Sequence, residues 1–476
     1  MTIPRIAGGR RAAVEGRPGS HATWNSIASR RRVRARTRPW DPQPALALPA
    51  VAASVPIRKP STLRAMSRSG APLARLPTLA VVTALPLAAW PGLETPFSTP
   101  KLWLLACGVA LCSAIGWRSL AHTREGRWHS ALPSVALPLW LASWALSALL
   151  GDVVSLAALW LGVGAALWAL ILLRMVGAPL AVMRAQVAGV TGVALVAVSQ
   201  WVGLDPFAWL GWFPAIAGAS PRLAVYGTLG NPNFVGCLLA GTLPLAAGLL
   251  AASGRALARS LAVAALVIQV AALFATGSRA GALGTAAAAI AAAVLSRDGR
   301  LRVLAAAGLA VAALLVLSSP ARPLADTLSG RLYIWRVTSP HAFDRPLAGF
   351  GPGAFEVRYP GWEVAARATG QAQPADRPFE GPQQHAHNDY LEALVERGTL
   401  GLFALLAVVL SGLAVAWSCA RHPSAHPTAI AAAASLAALS AAALVDFPLA
   451  RPAEAVNFWT AVAIIAMDRR QQPNVT

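Results

Sequence analysis

Apolar runs long enough to cross a bilayer recur twelve times in this chain, and no other feature constrains its fold as much. About 17 to 25 apolar residues cross a hydrocarbon core roughly 30 Å thick. Runs of this kind lie near 77–92, 101–117, 131–150, 153–173, 180–203, 232–252, 258–276, 281–296, 303–319, 399–418, 428–446 and 455–468, the first and last being short. Backbone groups inside a bilayer have no water to bind, so such spans must be helical. The expected fold class is all-α: a polytopic integral membrane protein with about twelve transmembrane helices. Composition agrees. Only 12% of the 476 residues are charged, against about 25% in soluble domains, and the mean hydropathy is +0.55.

The net charge of +21 suggests nucleic acid until it is located. Up to Leu76 there are 15 Lys and Arg against two acids, so +13 of the charge precedes the first span. "SRRRVRARTRPW" (29–40) has the charge of an arm for anionic lipid or nucleic acid. Its Arg/Pro/Ala composition and lack of apolar periodicity instead favour a disordered extension over residues 1–70. No nucleic-acid partner is expected. Met66, followed by "SRSGAPLARLPTLAVV", reads as a start in its own right, so residues 1–65 are expected to be a mis-placed start or a dispensable tail. No early apolar stretch has the form of a cleaved signal peptide. Cys107, Cys112, Cys237 and Cys419 lie in or beside spans without zinc-ligand spacing, as small apolar residues would.

Lys and Arg flanking spans stay cytoplasmic. The segments "RSLAHTREGRW" (118–128), "RMVGAP" (174–179), "SGRALARS" (253–260), "SRDGRLR" (296–302), "ARHPSAHP" (420–427) and "DRRQQ" (468–472) alternate with loops poor in Lys and Arg. This alternation predicts cytoplasmic termini and places the odd-looking polar motifs on the opposite, outer face. One outer loop, 320–398, holds nine of the 19 acidic residues. Loops beyond about 12–15 residues are uncommon and are usually functional. A tandem-repeat transporter would show related halves with matching broken helices, and no such symmetry is seen.

Several motifs on that face carry chemistry. In "HAHNDYLEALVERGTLGL" (385–402), Asp389 followed by Glu392 reads as a capping box, and Gly398 as the stop of a helix of about two to three turns. Leu391, Leu394 and Val395 form an apolar face suited to the membrane surface. His387 stands at the positive end of this helix, where anions are favoured and a histidine exchanges protons near neutral pH; the plainer alternative is that it satisfies backbone groups near the cap. His385 and His387 have no third ligand at metal-site spacing.

In "FATGSRAGALG" (274–284), Arg279 lies between two apolar spans on the side that disfavours it. Holding Arg in lipid costs about 2.5–3.5 kcal/mol on insertion scales, and a charge-assisted bond to phosphate returns about 1.5–3 kcal/mol. An anion or snorkelling to headgroups accounts for it. Gly277, Ser278 and Gly281 would allow a ligand close to the backbone. "RLAVYGTLGNPNFVG" (222–236) reads as a helix start at Asn231-Pro232. "RLYIWR" (331–336) supplies Arg331 and Arg336, and "DRPLAGFGPGAFEVRYP" (344–360) a glycine-rich turn whose N–H groups would face anions. Trp335, Phe350, Phe355, Tyr359 and Trp362 read as an interfacial belt or as sugar-stacking rings.

The order of "GNPN", "TGSRAG", "RLYIWR", "PLAGFGPGAF", "HNDYLEALVERGTLG" and "VDFPL" resembles the O-antigen ligase/polymerase superfamily of bacterial polytopic glycosyltransferases. The resemblance runs from about Gly227 to Leu449. Its most specific element is His-Asn, nine residues, then Gly-x-x-Gly, met by His387, Asn388, Gly398 and Gly401. The first 65 residues have no counterpart.

This resemblance implies transfer of a glycan from undecaprenyl diphosphate to lipid A–core, another glycan or a protein. The reaction would take place at the periplasmic face of the bacterial inner membrane, with the large loop periplasmic. The residues are compatible with such chemistry. A diphosphate leaving group needs cations, and arginine makes bidentate phosphate contacts. Arg279 is the expected clamp, with Arg331 assisting, and His387 the first choice for the base that takes the acceptor proton. Asp389, Glu392 and Asp446 remain alternative bases. Arg331, Arg336, Asn388 and Asn231 are the residues expected to meet substrate. No metal and no cofactor is expected, and the remaining partners are membrane lipids. Two rivals stand: a solute transporter, and a membrane scaffold that leaves Arg279 unexplained.

Overall fold

The computed structural model describes residues 71–122, 135–211, 225–318, 324–422 and 426–471, all within the unit Leu63–Thr476. The basic extension expected over 1–70 lies outside them. Every regular element among the described residues is helical. The longer helices are α1 (Ala71–Ala84), α2 (Thr99–His122), α3 (Leu137–Leu150), α4 (Leu156–Ile171), α5 (Pro179–Trp201), α6 (Pro232–Ala252), α7 (Ala256–Thr276), α8 (Arg279–Leu295), α9 (Gly299–Ser318), α10 (Leu324–Thr338), α11 (Ala354–Ala368), α12 (Asp389–Arg421), α13 (Pro427–Ala442) and α14 (Pro452–Gln471).

Each of the twelve expected stretches overlaps one of these helices. Six helical stretches are long and apolar enough to cross a membrane: Leu156–Val176, α5, α6, α7, Gly299–Leu317 and α12. The apolar helices Arg75–Leu87, Thr99–Ile115, α3, α8 and α13 are shorter. α14 carries Glu454, Asp468, Arg469 and Arg470, yet residues Pro452–Asp468 are buried along almost the whole helix, against α4, α12 and α13 among others. This is an integral membrane protein.

Small residues let the inner helices approach closely. α6, α8 and α13 pack on one another. A Cβ on Gly281 would come within 2.8 Å of the Gly236 carbonyl oxygen, and one on Gly284 within 2.9 Å of the Ala438 carbonyl oxygen. Small residues at such crossings are how helices pack where no hydrophobic effect drives them together. Gly281 therefore serves helix packing, and the expectation that it opens the backbone to a ligand is corrected. Lys101, 1% exposed, ties loops together: its Nζ donates to the carbonyls of Ala88 at 2.5 Å, Phe97 at 2.7 Å and Thr228 at 2.7 Å.

The 320–398 segment is folded over its described part and has its own core. Tyr333, Phe350, Phe355, Tyr359 and Trp362 are buried in one cluster with Ile334, Val337 and Val395, and Trp335, Leu391 and Leu394 pack against it. The aromatic residues are thus the core of this segment, not an exposed belt. The same cluster corrects the apolar face of residues 391–395, which packs on the loop. Arg358 pairs with Asp152 at the α3–α4 turn, and Arg345 reaches the same carboxylate at 3.4 Å.

The segment is sewn to α12 at a break. Gly398 has φ 65° and ψ −167° and divides α12 into two helices. An unbroken helix would bond Thr399 and Leu400 N–H to the carbonyls of Val395 and Glu396. Thr399 N–H instead donates to Pro346 at 2.7 Å and Leu400 N–H to Leu347 at 3.4 Å. The freed carbonyls accept from Phe350 N–H at 3.0 Å and Gly351 N–H at 2.9 Å, and Ser147 Oγ donates to Glu396 O at 2.6 Å. The glycine-rich turn consequently spends these N–H groups on α12, which corrects its reading as an anion nest. Gly351 sits at φ +114°, where an added Cβ would overlap the Val153 carbonyl oxygen. Gly351→Ala is expected to destabilise the protein by more than about 2 kcal/mol, read as a lower melting temperature in detergent with faster proteolysis within 340–360.

Candidate functional site

The start of α6, residues 385–389 and residues 446–454 meet at Phe447, and the α7–α8 turn packs on the start of α6 through Ser278 and Gly236. Each is positioned by a local device. Asn231 caps α6, its side chain accepting from Asn233 N–H at 2.9 Å. Gly277, left-handed at φ 57°, ends α7, and Ser278 caps α8 by accepting from Gly281 N–H at 3.1 Å. Arg279 is thereby the first residue of α8. Asn388, not Asp389, caps α12: its Oδ1 accepts from Tyr390 and Leu391 N–H, both at 3.0 Å. The expected capping box is corrected accordingly. Glu392 still reaches back, but to Ala386 N–H at 2.9 Å and His385 Nδ1 at 2.8 Å.

The two histidines face different partners. His385 stacks on Phe447 with centroids 4.3 Å apart. Burial opposes its charged form, but the Glu392 carboxylate outweighs burial and its pKa is raised. His387 meets the same ring edge-on at 4.9 Å, with Nδ1 3.8 Å from Asp446 Oδ1. It is the one non-glycine residue with positive φ (51°) among the described residues. Such a conformation persists only where the surroundings hold it, and it clusters at functional sites. Burial pushes the His387 pKa below the ordinary histidine value; Asp446 resists this, and Arg331, His385 and Arg451 add to the lowering.

Asp446 is 1% exposed. Its Oδ1 accepts from Phe447 N–H at 2.9 Å and Arg451 Nη1 at 3.3 Å. Arg451 lies over the rings of Phe234 at 3.9 Å and Phe447 at 4.8 Å. Its Nε is 2.7 Å from Glu454 Oε1, an ion contact bent away from hydrogen-bond geometry. Burial opposes charge on Arg451, but Glu454 and Asp446 hold it firmly protonated. The series Glu454–Arg451–Asp446–His387 thus runs from the base of α14 to the imidazole.

Arg331 completes the group. It stands on α10, half-buried, and no hydrogen bond or ion pair ties it to another described residue. Burial lowers its pKa, Asp446 opposes the shift and Arg279 reinforces it. Arg331 is therefore within electrostatic reach of Asp446, Arg279 and His387. Arg336, five residues on, is rotated by about 140° around α10. It pairs with Asp376 of the loop and stands over Tyr333 at 5.8 Å, so the structure does not bring it to this cluster. Asn231 and Asn388 sit at its edge with their side-chain oxygens engaged in caps.

Residues 264–406 match the family model described as O-antigen ligase. This segment belongs to that family. It takes in Arg279, Arg331, His387, Gly398 and Gly401 and ends before Asp446 and Arg451. No curated protein gave a match to the chain. The O-antigen ligase segment indicates, in general terms, an enzyme of glycosyltransferase type with a lipid-linked glycan and an acceptor as partners.

Sequence reasoning passed over Arg451. It is a basic residue beside a span on the face poor in Lys and Arg, the same signal that drew attention to Arg279.

Proposed function

We propose that this protein transfers a glycan from undecaprenyl diphosphate to an acceptor, as an O-antigen ligase does, on the periplasmic face of the bacterial inner membrane. The observation that carries this reading is His387, its Nδ1 3.8 Å from Asp446 Oδ1, within electrostatic reach of an Arg331 guanidinium that has no acceptor among the described residues. Asp446 facing Nδ1 favours the tautomer protonated there, which leaves Nε2 bare as a base. The acceptor hydroxyl gives its proton to Nε2 while its oxygen bonds to the anomeric carbon. The bond from that carbon to the phosphate oxygen breaks, and the diphosphate departs with the electron pair. Arg331 and Arg279 offset the charge it gains.

A lipid-borne donor suits the surroundings. An apolar cavity of about 230 Å³ between α6, α7, α8, α9 and α13 is lined by Thr285, Ala288, Ala289 and Ala292 of α8. These share one face of the helix that begins with Arg279, and α7 and α9 beside it are mostly exposed. A polyprenyl tail entering there from the side would leave its diphosphate near the arginines.

The test is reconstitution in proteoliposomes with an undecaprenyl-diphosphate glycan and, in turn, lipid A–core, a second lipid-linked glycan and a secreted protein as acceptor. One of the three is expected to receive the glycan, with free undecaprenyl diphosphate released one for one. Failure to release it with all three would refute the reading.

A further inference from the structure

The start of α12 borders a second space. A cavity of about 300 Å³ lies along the face carrying Asp389, Glu392 and Glu396, which are neighbours at i, i+3 and i+7. Its other walls include Trp140 and Trp144 of α3, Ser98 and Thr99 at the start of α2, and His385. His385, which lines this cavity, and His387 touch the same Phe447 ring.

The three carboxylates have protein partners. Asp389 accepts from Leu449 N–H at 2.9 Å, Glu392 from Ala386 N–H at 2.9 Å, and Glu396 from Phe355 N–H at 3.1 Å. Arg397 has none. It is 5% exposed, its guanidinium lies over Trp140 at 4.6 Å and Trp144 at 4.4 Å, and its buried Nη1 meets no acceptor. Trp144 Nε1 is likewise buried and unpartnered. A guanidinium has five N–H donors, and a buried donor without an acceptor loses its full hydration. Such a cation, nine-tenths buried and lining a cavity, is a site that lacks its ligand's acceptors.

The lining selects the ligand. An anion would meet Glu392 beside Arg397, and a cation would meet Arg397 and His385. An apolar molecule would leave the donors unpaired. A neutral polyhydroxylated ring satisfies both kinds of group, because each hydroxyl donates and accepts. The volume is at the lower end for small-ligand pockets.

We propose that this cavity is a saccharide subsite holding one uncharged sugar residue of a substrate, with Arg397, Trp144, Glu392 and Glu396 in its wall. The proposal rests on the glycan-transfer reading. Binding here, away from the bond that breaks, would hold the substrate equally in the ground and transition states, so its loss is read in KM. The sugar comes from either the donor glycan or the acceptor.

Saturation-transfer NMR on the full chain in detergent, with free glucose, galactose, mannose and N-acetylglucosamine as probes, tests it. At least one is expected to bind, about tenfold more weakly to Arg397→Gln and more weakly also to Thr99→Val, which keeps the arginine stack. In a transfer assay Arg397→Gln is expected to raise KM for the acceptor if the sugar is the acceptor's, or for the donor if it is the donor's, with kcat largely kept. Binding of none of the four sugars, equal binding by both variants, or binding of glucuronate or inorganic phosphate in their place would overturn the proposal and leave the cavity to ordered water. His387→Ala is expected to keep sugar binding while losing transfer, so the two readings fail separately.

Discussion

His387→Ala is expected to slow glycan transfer by about 10²–10⁴-fold, the usual contribution of a positioned general base, with little change in melting temperature. The expectation follows from how the imidazole is held. Its surroundings favour the neutral form: burial lowers its pKa, and Arg331, His385 and Arg451 act in the same direction against Asp446. Only the neutral form can accept a proton. Activity should therefore be full above the ordinary histidine pKa and fall as pH drops through the lowered one. Asp446→Asn removes the group that favours the charged imidazole. The acidic limb of the kcat/KM profile should then move to still lower pH, while the rate falls because the ring loses its orienting partner. The other carboxylates are less suited to the task. Asp389 is buried and holds Leu449 N–H, and burial with Glu392 beside it raises its pKa well above the usual range. A pH profile unchanged in Asp446→Asn would remove the aspartate from this arrangement.

Arg331→Gln is expected to lower kcat/KM by about 10²–10³-fold, comparable to removing one donor from a preorganised anion site. Arg279→Gln should act in the same direction. The double variant should lose less than the product of the two, since both groups act on one leaving group and such effects do not add. Arg331→Lys should recover little, because an ammonium cannot make the forked, bidentate contact of a guanidinium. Inorganic pyrophosphate offers an independent measurement. It should inhibit the wild type competitively against the donor, and the inhibition should weaken in both single variants but not in Arg336→Gln, whose side chain pairs with Asp376. Equal inhibition of all these proteins would detach the arginines from the diphosphate.

What the sequence reveals and what it hides divide along a physical line. α6 begins where Asn231-Pro232 says it should, because a cap and a first-turn proline act within a few residues of their own helix. The long apolar runs are equally local, and so are the histidine-asparagine pair and the glycine that breaks α12. Arg397, the residue before that glycine, carries no signal of its own in the sequence. Its meaning comes from Trp140 and Trp144 on α3, and no spacing within residues 385–402 announces a stack on another helix. Arg451 was hidden for the same reason, since Phe234 and Phe447 cover it from two separate stretches. Glu392 kept its cap-side position but took a histidine for a partner, a choice made by how the loop folds back. Gly351 looked like part of an open turn because its cramped setting, against Val153 and Glu396, exists only once three distant backbones are assembled.

The break at Gly398 has a mechanical consequence. Two rods joined by a bare glycine would hinge, and the histidine at the far end of the shorter rod would swing through several ångströms. Here the joint is splinted from outside by residues 346–351, which grip both rods at once. The imidazole is thus carried at a set height on the longer rod, and a substrate must come to it.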